Sequence, residues 1–359
     1  MPTALPTIEE IRADLAESEI HHVGVASADV LADTRAELLA RRAAGLHADM
    51  QFTYRNPERS TDPSRAVANA QSIIVAARSY VTDPAQFSPP IPSVTNDGPH
   101  ARVGRYAWVD HYAPLRQALR DVARTIRRAG HRAVAFADDN AIVDRAVAYR
   151  AGLGWYGKNA NLLLPGAGSF FVLGCIITTA DYPVADRPAA DGCGDCVRCI
   201  DACPTAAIVA PGVIDGNRCL AWVLQRPGTI PDEYRAAIGD RIYGCDDCQD
   251  VCPITVRLGE RTTVAPTGHE RPSISAFELL TASDEWIEER CGWWYIAERD
   301  VRWLRRNALV VVGNAAEPGD TRAFDLLTTY SSGDDDVLAD HARWALDRLA
   351  DRRAVEVTA

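Results

Sequence analysis

Residues 193–204 read CGDCVRCIDACP, placing cysteines at 193, 196, 199 and 203 with Pro204 directly after the last. Three thiols two residues apart, then a fourth after three, is the spacing with which a short chain wraps an iron–sulfur cubane, and the proline turns the chain away. Downstream, Cys219 is followed by Cys245, Cys248 and Cys252, and Pro253 repeats the Cys-Pro ending. Eight of the ten cysteines thus lie between 193 and 252. Zinc is the plainer alternative, because C-x2-C pairs also build zinc ribbons, but two tetrahedral sites leave the repeated Cys-Pro ends unexplained. A secreted disulfide framework fits neither the length of the chain nor the two- and three-residue gaps. Cys175, in an apolar run, and Cys291, beside Gly292-Trp293-Trp294, read as buried small hydrophobes.

In two-cluster bacterial ferredoxins the fourth cysteine of such a run ligates the other cluster. That rule groups Cys193, Cys196, Cys199 and Cys252 on one [4Fe–4S] cluster. Cys203, Cys219, Cys245 and Cys248 hold the second. Two clusters pass electrons singly to an acceptor, and a bare carrier needs only a fraction of 359 residues. The remainder therefore predicts a substrate or second cofactor site.

The 38 Lys+Arg against 49 Asp+Glu give a net charge of −11, which excludes a protein that grips nucleic acid by bulk charge but not one with a local basic patch. With 47% hydrophobic and 24% charged residues, the composition is that of a soluble globular chain. No apolar run approaches the ~20 residues of a membrane span. Met1 to Ser18 mixes acidic with apolar residues and does not read as a signal peptide, so the expected location is cytoplasmic, with no membrane partner.

Around the cysteines, periodicity gives helices over Ile8–Leu15, Ala36–Leu46, Leu115–Arg128 and Ile142–Ala151. Ser72–Ala77, Ala133–Ala137 and Ser169–Thr179 (SFFVLGCIITT) read as strands, the last a central one. Pro84–Pro99 reads as a long surface loop and Asp181–Asp191 as a linker. Beyond Ser273 the pattern turns helical, with Arg299–Ala315, Thr321–Tyr330 and Val337–Leu349 resembling a helical repeat pair and a fragment. Three regions follow: an α/β domain over 1–183, a cysteine module over 184–262 and a helical part over 263–359.

Two further strings invite a nucleotide reading. Gly152, Gly154 and Gly157 spell G-x-G-x-x-G, and Gly152 to Lys158 spells G-x-x-x-x-G-K. Both motifs need a strand before and a helix after. Here a helical pattern precedes, and Asn159 stands where a P-loop has Ser or Thr, so a tight helix-to-strand turn is the better reading.

The combination of CGDCVRCIDACP with Asn217-Arg218-Cys219, residues 239–252 (GDRIYGCDDCQDVC) and residues 151–158 (AGLGWYGK) resembles the epoxyqueuosine reductase family. Asp138, Asp144-Arg145-Ala146 and Arg306-Asn307-Ala308 extend the likeness over the whole chain. The resemblance implies an α/β cobalamin-binding domain, a bacterial-ferredoxin-like two-[4Fe–4S] module and an α-helical HEAT-like C-terminal region. It implies reduction of epoxyqueuosine in tRNA to queuosine, with flavodoxin or ferredoxin as the low-potential donor. Arg59, Gly104, Arg105, Asp138, Leu162, Leu173, Ile176, Gly212 and Ala221 match positions that contact the corrin, and Asp138 matches the proton donor. Asp110-His111-Tyr112 stands where the family has Asp-Tyr-His, so either His111 or Tyr112 takes the substrate contact. Cys175 replaces a common Glu, and Asp139-Asn140-Ala141 replaces a small-residue string. Asp139 reads either as a carboxylate that helps to raise Asp138 or as a turn residue. For tRNA, the expected footprint is one helix face carrying Arg299, Arg302, Arg305 and Arg306 with Trp303 interleaved. The competing readings are a reductive dehalogenase, which shares cobalamin and two clusters, and a non-enzymatic electron carrier.

Overall fold

The computed structural model describes residues 4–82, 94–95, 98–185, 187–257 and 263–358. Most of the expected loop Pro84–Pro99, and residues 258–262 at the end of the cysteine module, lie outside the described residues.

Strands His22–Ser27, Ser72–Ser79, Phe171–Thr178 and Ala133–Ala137 lie side by side in that order, each pair antiparallel. The two inner strands are apolar on both faces because helices cover both. On one side Ile74, Ala76, Val172 and Ile176 pack with Leu115, Leu119 and Val122 of helix Tyr112–Arg128 and with Ile11 and Leu15 of helix Ile8–Ala16. On the other side Ile73, Val75, Cys175 and Ile177 meet Ala146 and Val147 of helix Asp144–Arg150. This is the α/β layering expected from sequence. Gly174, in register with Ala76 and Ala137, lets helix Tyr112–Arg128 descend onto the sheet. A Cβ there would stand 2.6 Å from Leu119 Cδ1.

A second sheet joins the three sequence regions. Gly98–Val103 pairs in parallel with Arg241–Tyr243 of the cysteine module and antiparallel with Ser273–Ser275 of the C-terminal part. The core beneath it draws Val103 and Trp108, Ile242 and Tyr243, and Phe277, Leu304 and Leu309 into one cluster.

The C-terminal helices Arg302–Ala315, Thr321–Ser331 and Asp336–Thr358 follow the predicted order, but the first starts three residues late. Glu298 and Arg299 hold left-handed backbone (φ 58° and 56°), which no α-helix accommodates. The expected basic face is corrected with it. Arg306 is fully buried and donates to the carbonyls of Val223, Leu224, Arg226 and Gly228. Arg302 pairs with Asp300 and Asp335, and Arg305 with Asp284. Three of the four arginines are structural, and Arg299 alone is exposed.

Candidate functional site

Around its cysteines the module is built of four-residue helices and a short hairpin, Ile208–Ala210 with Val213–Ile214. Cys219 and Cys252 each sit at the N-cap of one of these helices, and Pro253 occupies the first turn of the second. Cys203 Sγ accepts from the Ala207 N–H at 3.1 Å. The fold brings the cysteines together as two neighbouring groups. Cys199 has Cys252, Cys193 and Cys196 as its electrostatic neighbours, and Trp155 packs against both Cys252 and Cys193. Cys219 neighbours Cys203 and Cys245, while Cys248 neighbours Cys245, Cys219 and, across the gap, Cys199. Cys196 is the exposed one. Cys175 and Cys291 are buried in apolar cores, as expected.

The glycine string is a helix-to-strand turn. Helix Asp144–Arg150 ends just before it, and Trp155–Tyr156 pairs with Leu162–Leu163. Its polar residues grip the cysteine module rather than a phosphate. Lys158 Nζ donates to the Gly194 carbonyl at 2.7 Å, Asn159 to the Cys248 carbonyl at 3.2 Å, and Asn161 Nδ2 lies 3.9 Å from Cys248 Sγ.

Asp138 directly follows strand Ala133–Ala137, in left-handed backbone (φ 54°). Its side chain remains accessible, yet partial desolvation, reinforced by Asp110 and Asp139 and opposed by Arg116, pushes its carboxyl above the usual range. Asp139 is a turn residue, its Oδ1 accepting from the Ala141 N–H at 2.8 Å, and it also raises its neighbour. Sequence reasoning gave Asp144 no role. It is half-buried, its shielded Oδ1 has no hydrogen-bond partner among the described residues, and burial followed by the Asp138 charge pushes it well up. Nothing in a local motif reports burial, so only the three-dimensional arrangement exposes this second acid. Of the two alternatives at the start of helix Tyr112–Arg128, Tyr112 lies in the field of Asp138 and Asp144. His111 is buried against the Tyr80 ring, and desolvation draws its imidazole down to about 4. Tyr243, two residues before Cys245, also feels Asp138. The acidic cluster around Asp138 and the second cysteine group therefore adjoin.

The nine positions matched to corrin contacts separate. Arg59 and Asp138 are exposed, Gly212 and Ala221 half-buried. Gly212 has left-handed backbone (φ 75°), and a Cβ there would meet nothing nearer than the Gly157 carbonyl at 3.9 Å. Leu162 is buried and Gly104 backs closely onto Gly244. Leu173 and Ile176 point to opposite faces of the sheet, since side chains alternate along a strand. Ile176 is wholly buried against helix Tyr112–Arg128, facing away from Leu173. The guanidinium of Arg105 is likewise committed elsewhere. It donates to Asp250 at 2.5 Å and Asp246 at 3.4 Å, and lies 4.8 Å from the Phe170 ring centre. Arg105 thus ties the α/β domain to the cysteine module.

A family model described as a 4Fe-4S double cluster binding domain matches residues 192–255. The chain is 34% identical over 342 residues to an epoxyqueuosine reductase of Vibrio cholerae, covering 92% of this chain and 89% of the relative. It is 32% identical over 348 residues to the epoxyqueuosine reductase of Escherichia coli, covering 94% and 88%. A solved epoxyqueuosine reductase carrying an epoxyqueuosine-modified tRNA-Tyr stem loop superposes with a TM-score of 0.85 at 27% identity, covering 97% of this chain and 92% of that one. A Bacillus subtilis epoxyqueuosine reductase whose catalytic loop is swung out of the active site matches with a TM-score of 0.84, also at 27% identity, covering 97% and 92%. The double-cluster match sets the zinc reading aside, and the likeness over almost the whole chain sets aside a bare carrier. On these grounds the chain belongs to the epoxyqueuosine reductase family.

Proposed function

We propose that this protein reduces the epoxide of epoxyqueuosine in tRNA to the alkene of queuosine, with electrons delivered through two [4Fe–4S] clusters. The reaction consumes two electrons and two protons and releases water. The observation that carries the reading is the adjacency of a raised carboxylic acid, Asp138, to a double-cluster module. An epoxide oxygen leaves poorly as an alkoxide, so a proton must reach it as the C–O bond breaks. Asp138 is accessible and held toward its neutral form, and is assigned that proton. Tyr112 is assigned the substrate contact, because it lies in the field of Asp138 and Asp144 while His111 is buried against Tyr80.

Cobalamin is the proposed second cofactor, and when bound it supplies the strongly reducing cobalt that C–O cleavage needs. Accessible Arg59, Asp138, Gly212 and Ala221 fit such a group, since an amide-fringed ring seeks polar side chains and open backbone. The cluster ligands are proposed as Cys193, Cys196, Cys199 and Cys252 for one, and Cys203, Cys219, Cys245 and Cys248 for the other. Cys252→Ala should then perturb the same cluster signal in electron paramagnetic resonance as Cys193→Ala. Damage to a signal shared with Cys219→Ala instead would refute the crossed assignment. The region boundaries near 183 and 262, the HEAT-like character of the C-terminal helices, and a flavodoxin or ferredoxin donor belong to the same proposal. No helix among the described residues is long and apolar enough to cross a membrane.

The test is turnover. Protein reconstituted anaerobically with iron, sulfide and cobalamin, given a chemical reductant, should convert epoxyqueuosine to queuosine in tRNA from a strain blocked at this step. Cobalt absorption bands that fail to persist after gel filtration would reject cobalamin, and unchanged epoxyqueuosine would reject the activity.

A further inference from the structure

Three aromatic rings from distant parts of the chain meet at a place that the assignments above leave unused. Phe52 comes from the short helix Phe52–Arg55, Trp222 from helix Leu220–Val223, and Tyr295 from the segment ahead of helix Arg302–Ala315. The Phe52 ring lies edge-on, 5.0 Å from Tyr295 and 5.7 Å from Trp222, while Trp222 and Tyr295 stack within 27° of parallel at 6.2 Å. The set is fixed from behind. Trp222 is buried and donates from Nε1 to the Ala48 carbonyl at 2.8 Å. The Tyr295 N–H donates to Tyr243 Oη at 2.8 Å, and Tyr243 itself stacks on Trp294 at 4.6 Å.

Despite this support Tyr295 is 42% exposed. Aromatic rings gathered for core packing normally bury their faces, so a rigidly backed ring left open is a surface prepared for another flat group. Its place narrows the choice of ligand. Tyr243, which holds Tyr295, lies in the field of Asp138, so the rings lie near the acidic cluster. Exposed Arg55 ends the helix that carries Phe52, and exposed Arg42 donates to the Tyr54 carbonyl of the same helix. Exposed Arg299 follows Tyr295 on the strained turn. An open aromatic ring, backed by buried ones and rimmed by arginine, suits a nucleobase carried on a phosphate backbone, because every base offers a π-face and the arginines meet the phosphates. An apolar protein partner has no need of that rim. With a net charge of −11 opposing RNA, a local device of this kind is what binding requires.

We propose that Phe52, Trp222 and Tyr295 form a stacking platform for an unpaired base of the tRNA loop beside the nucleotide being reduced. The inference rests on the proposed function. It is tested with full-length, cluster-loaded protein titrated with a labelled epoxyqueuosine-modified stem loop at several salt concentrations. Stacking contributes enough that Tyr295→Ala should weaken binding about tenfold or more, while Tyr295→Phe, which keeps the ring, stays within about twofold of wild type. The slope of log Kd against log salt should be unchanged in Tyr295→Ala, because no phosphate contact is lost, whereas Arg299→Ala should flatten it. Wild-type affinity in Tyr295→Ala, an equal loss in Tyr295→Phe, or a flattened slope in Tyr295→Ala would overturn the platform. If wild-type protein binds and turns over the stem loop, such a result removes the platform alone. If wild type does neither, the platform falls together with the proposed function.

Discussion

Asp138 occupies a backbone conformation that costs a non-glycine residue of order 1 kcal/mol, and it does not cap the helix that follows, since Val143 holds that position. An aspartate just ahead of a helical run is by itself an ordinary capping residue. The structure removes the cap and leaves an acid. Its surroundings are Arg116 and Tyr112 from helix Tyr112–Arg128, Asp110 just before that helix, Asp139, Asp144 and Tyr243. Desolvation leads the upward shift, and Arg116 opposes it. A raised carboxyl stays protonated to higher pH, so activity that needs the acid is full below its pKa and falls as pH climbs through it. Asp138→Asn should leave both clusters loaded and reduce turnover by ~10²-fold or more. Arg116→Gln should move the alkaline limb of the rate profile to higher pH, since it removes the opposing charge. Near-normal turnover in Asp138→Asn would transfer the role to Asp144 or Tyr112, and an unmoved limb in Arg116→Gln would dissociate it from Asp138.

Helix Arg302–Ala315 shows how the same residues read differently once packed. Arginines at three- and four-residue spacing beside a tryptophan have the look of a phosphate-binding face. What the sequence could not supply was that helix Leu220–Val223 ends against this very face. Arg306 satisfies the carbonyls at and beyond that helix's C-terminus, where a positive charge also suits the helix dipole. Asn307 completes the contact, donating to the Leu224 and Ile242 carbonyls. Burial draws the Arg306 guanidinium down to about 9, which still leaves it charged at neutral pH. Arg306→Ala strips several buried acceptors at once and should cost at least about 3 kcal/mol in urea denaturation. A variant of wild-type stability would show that water replaces the guanidinium there without loss. Strands were easier to read. Ser72–Ser79 and Phe171–Thr178 are apolar without alternation because both sheet faces are covered, and that continuity is visible in one dimension. The four-residue helices of the cysteine module are too short for any period to register.

At the scale of the molecule, the cysteine module was legible from its spacing, but the way it is joined to the rest of the chain was not. The joining uses one strand from each region in a sheet, and single buried polar residues at contacts between regions. Register between strands more than a hundred residues apart leaves no local trace in sequence. His341 is one such residue. It is wholly buried in helix Asp336–Thr358, its Nε2 accepting from the Ile230 N–H of the cysteine module at 3.1 Å while Nδ1 donates to the Val337 carbonyl at 2.6 Å. This arrangement requires a neutral ring. Burial draws the imidazole down to about 4, helped by Arg235 and Arg306 and resisted by the Val337 hydrogen bond and Asp340. A histidine titrates near ~6.5 in the unfolded chain, so between those limits the unfolded state binds the extra proton. The contribution to stability is therefore complete above pH ~6.5 and is lost as pH falls toward 4, a change of about 3 kcal/mol for a fully buried ring. His111, drawn down to about 4 as well, acts in the same direction, while the raised carboxyls of Asp144 and Asp250 act in the opposite one. The share belonging to His341 is isolated by His341→Gln, which offers an acceptor to Ile230 but does not titrate. The Tm advantage of wild type over this variant should be greatest near pH 7.5 and shrink by pH 5; a difference that stays constant across that range would show that protonation of His341 is not coupled to folding.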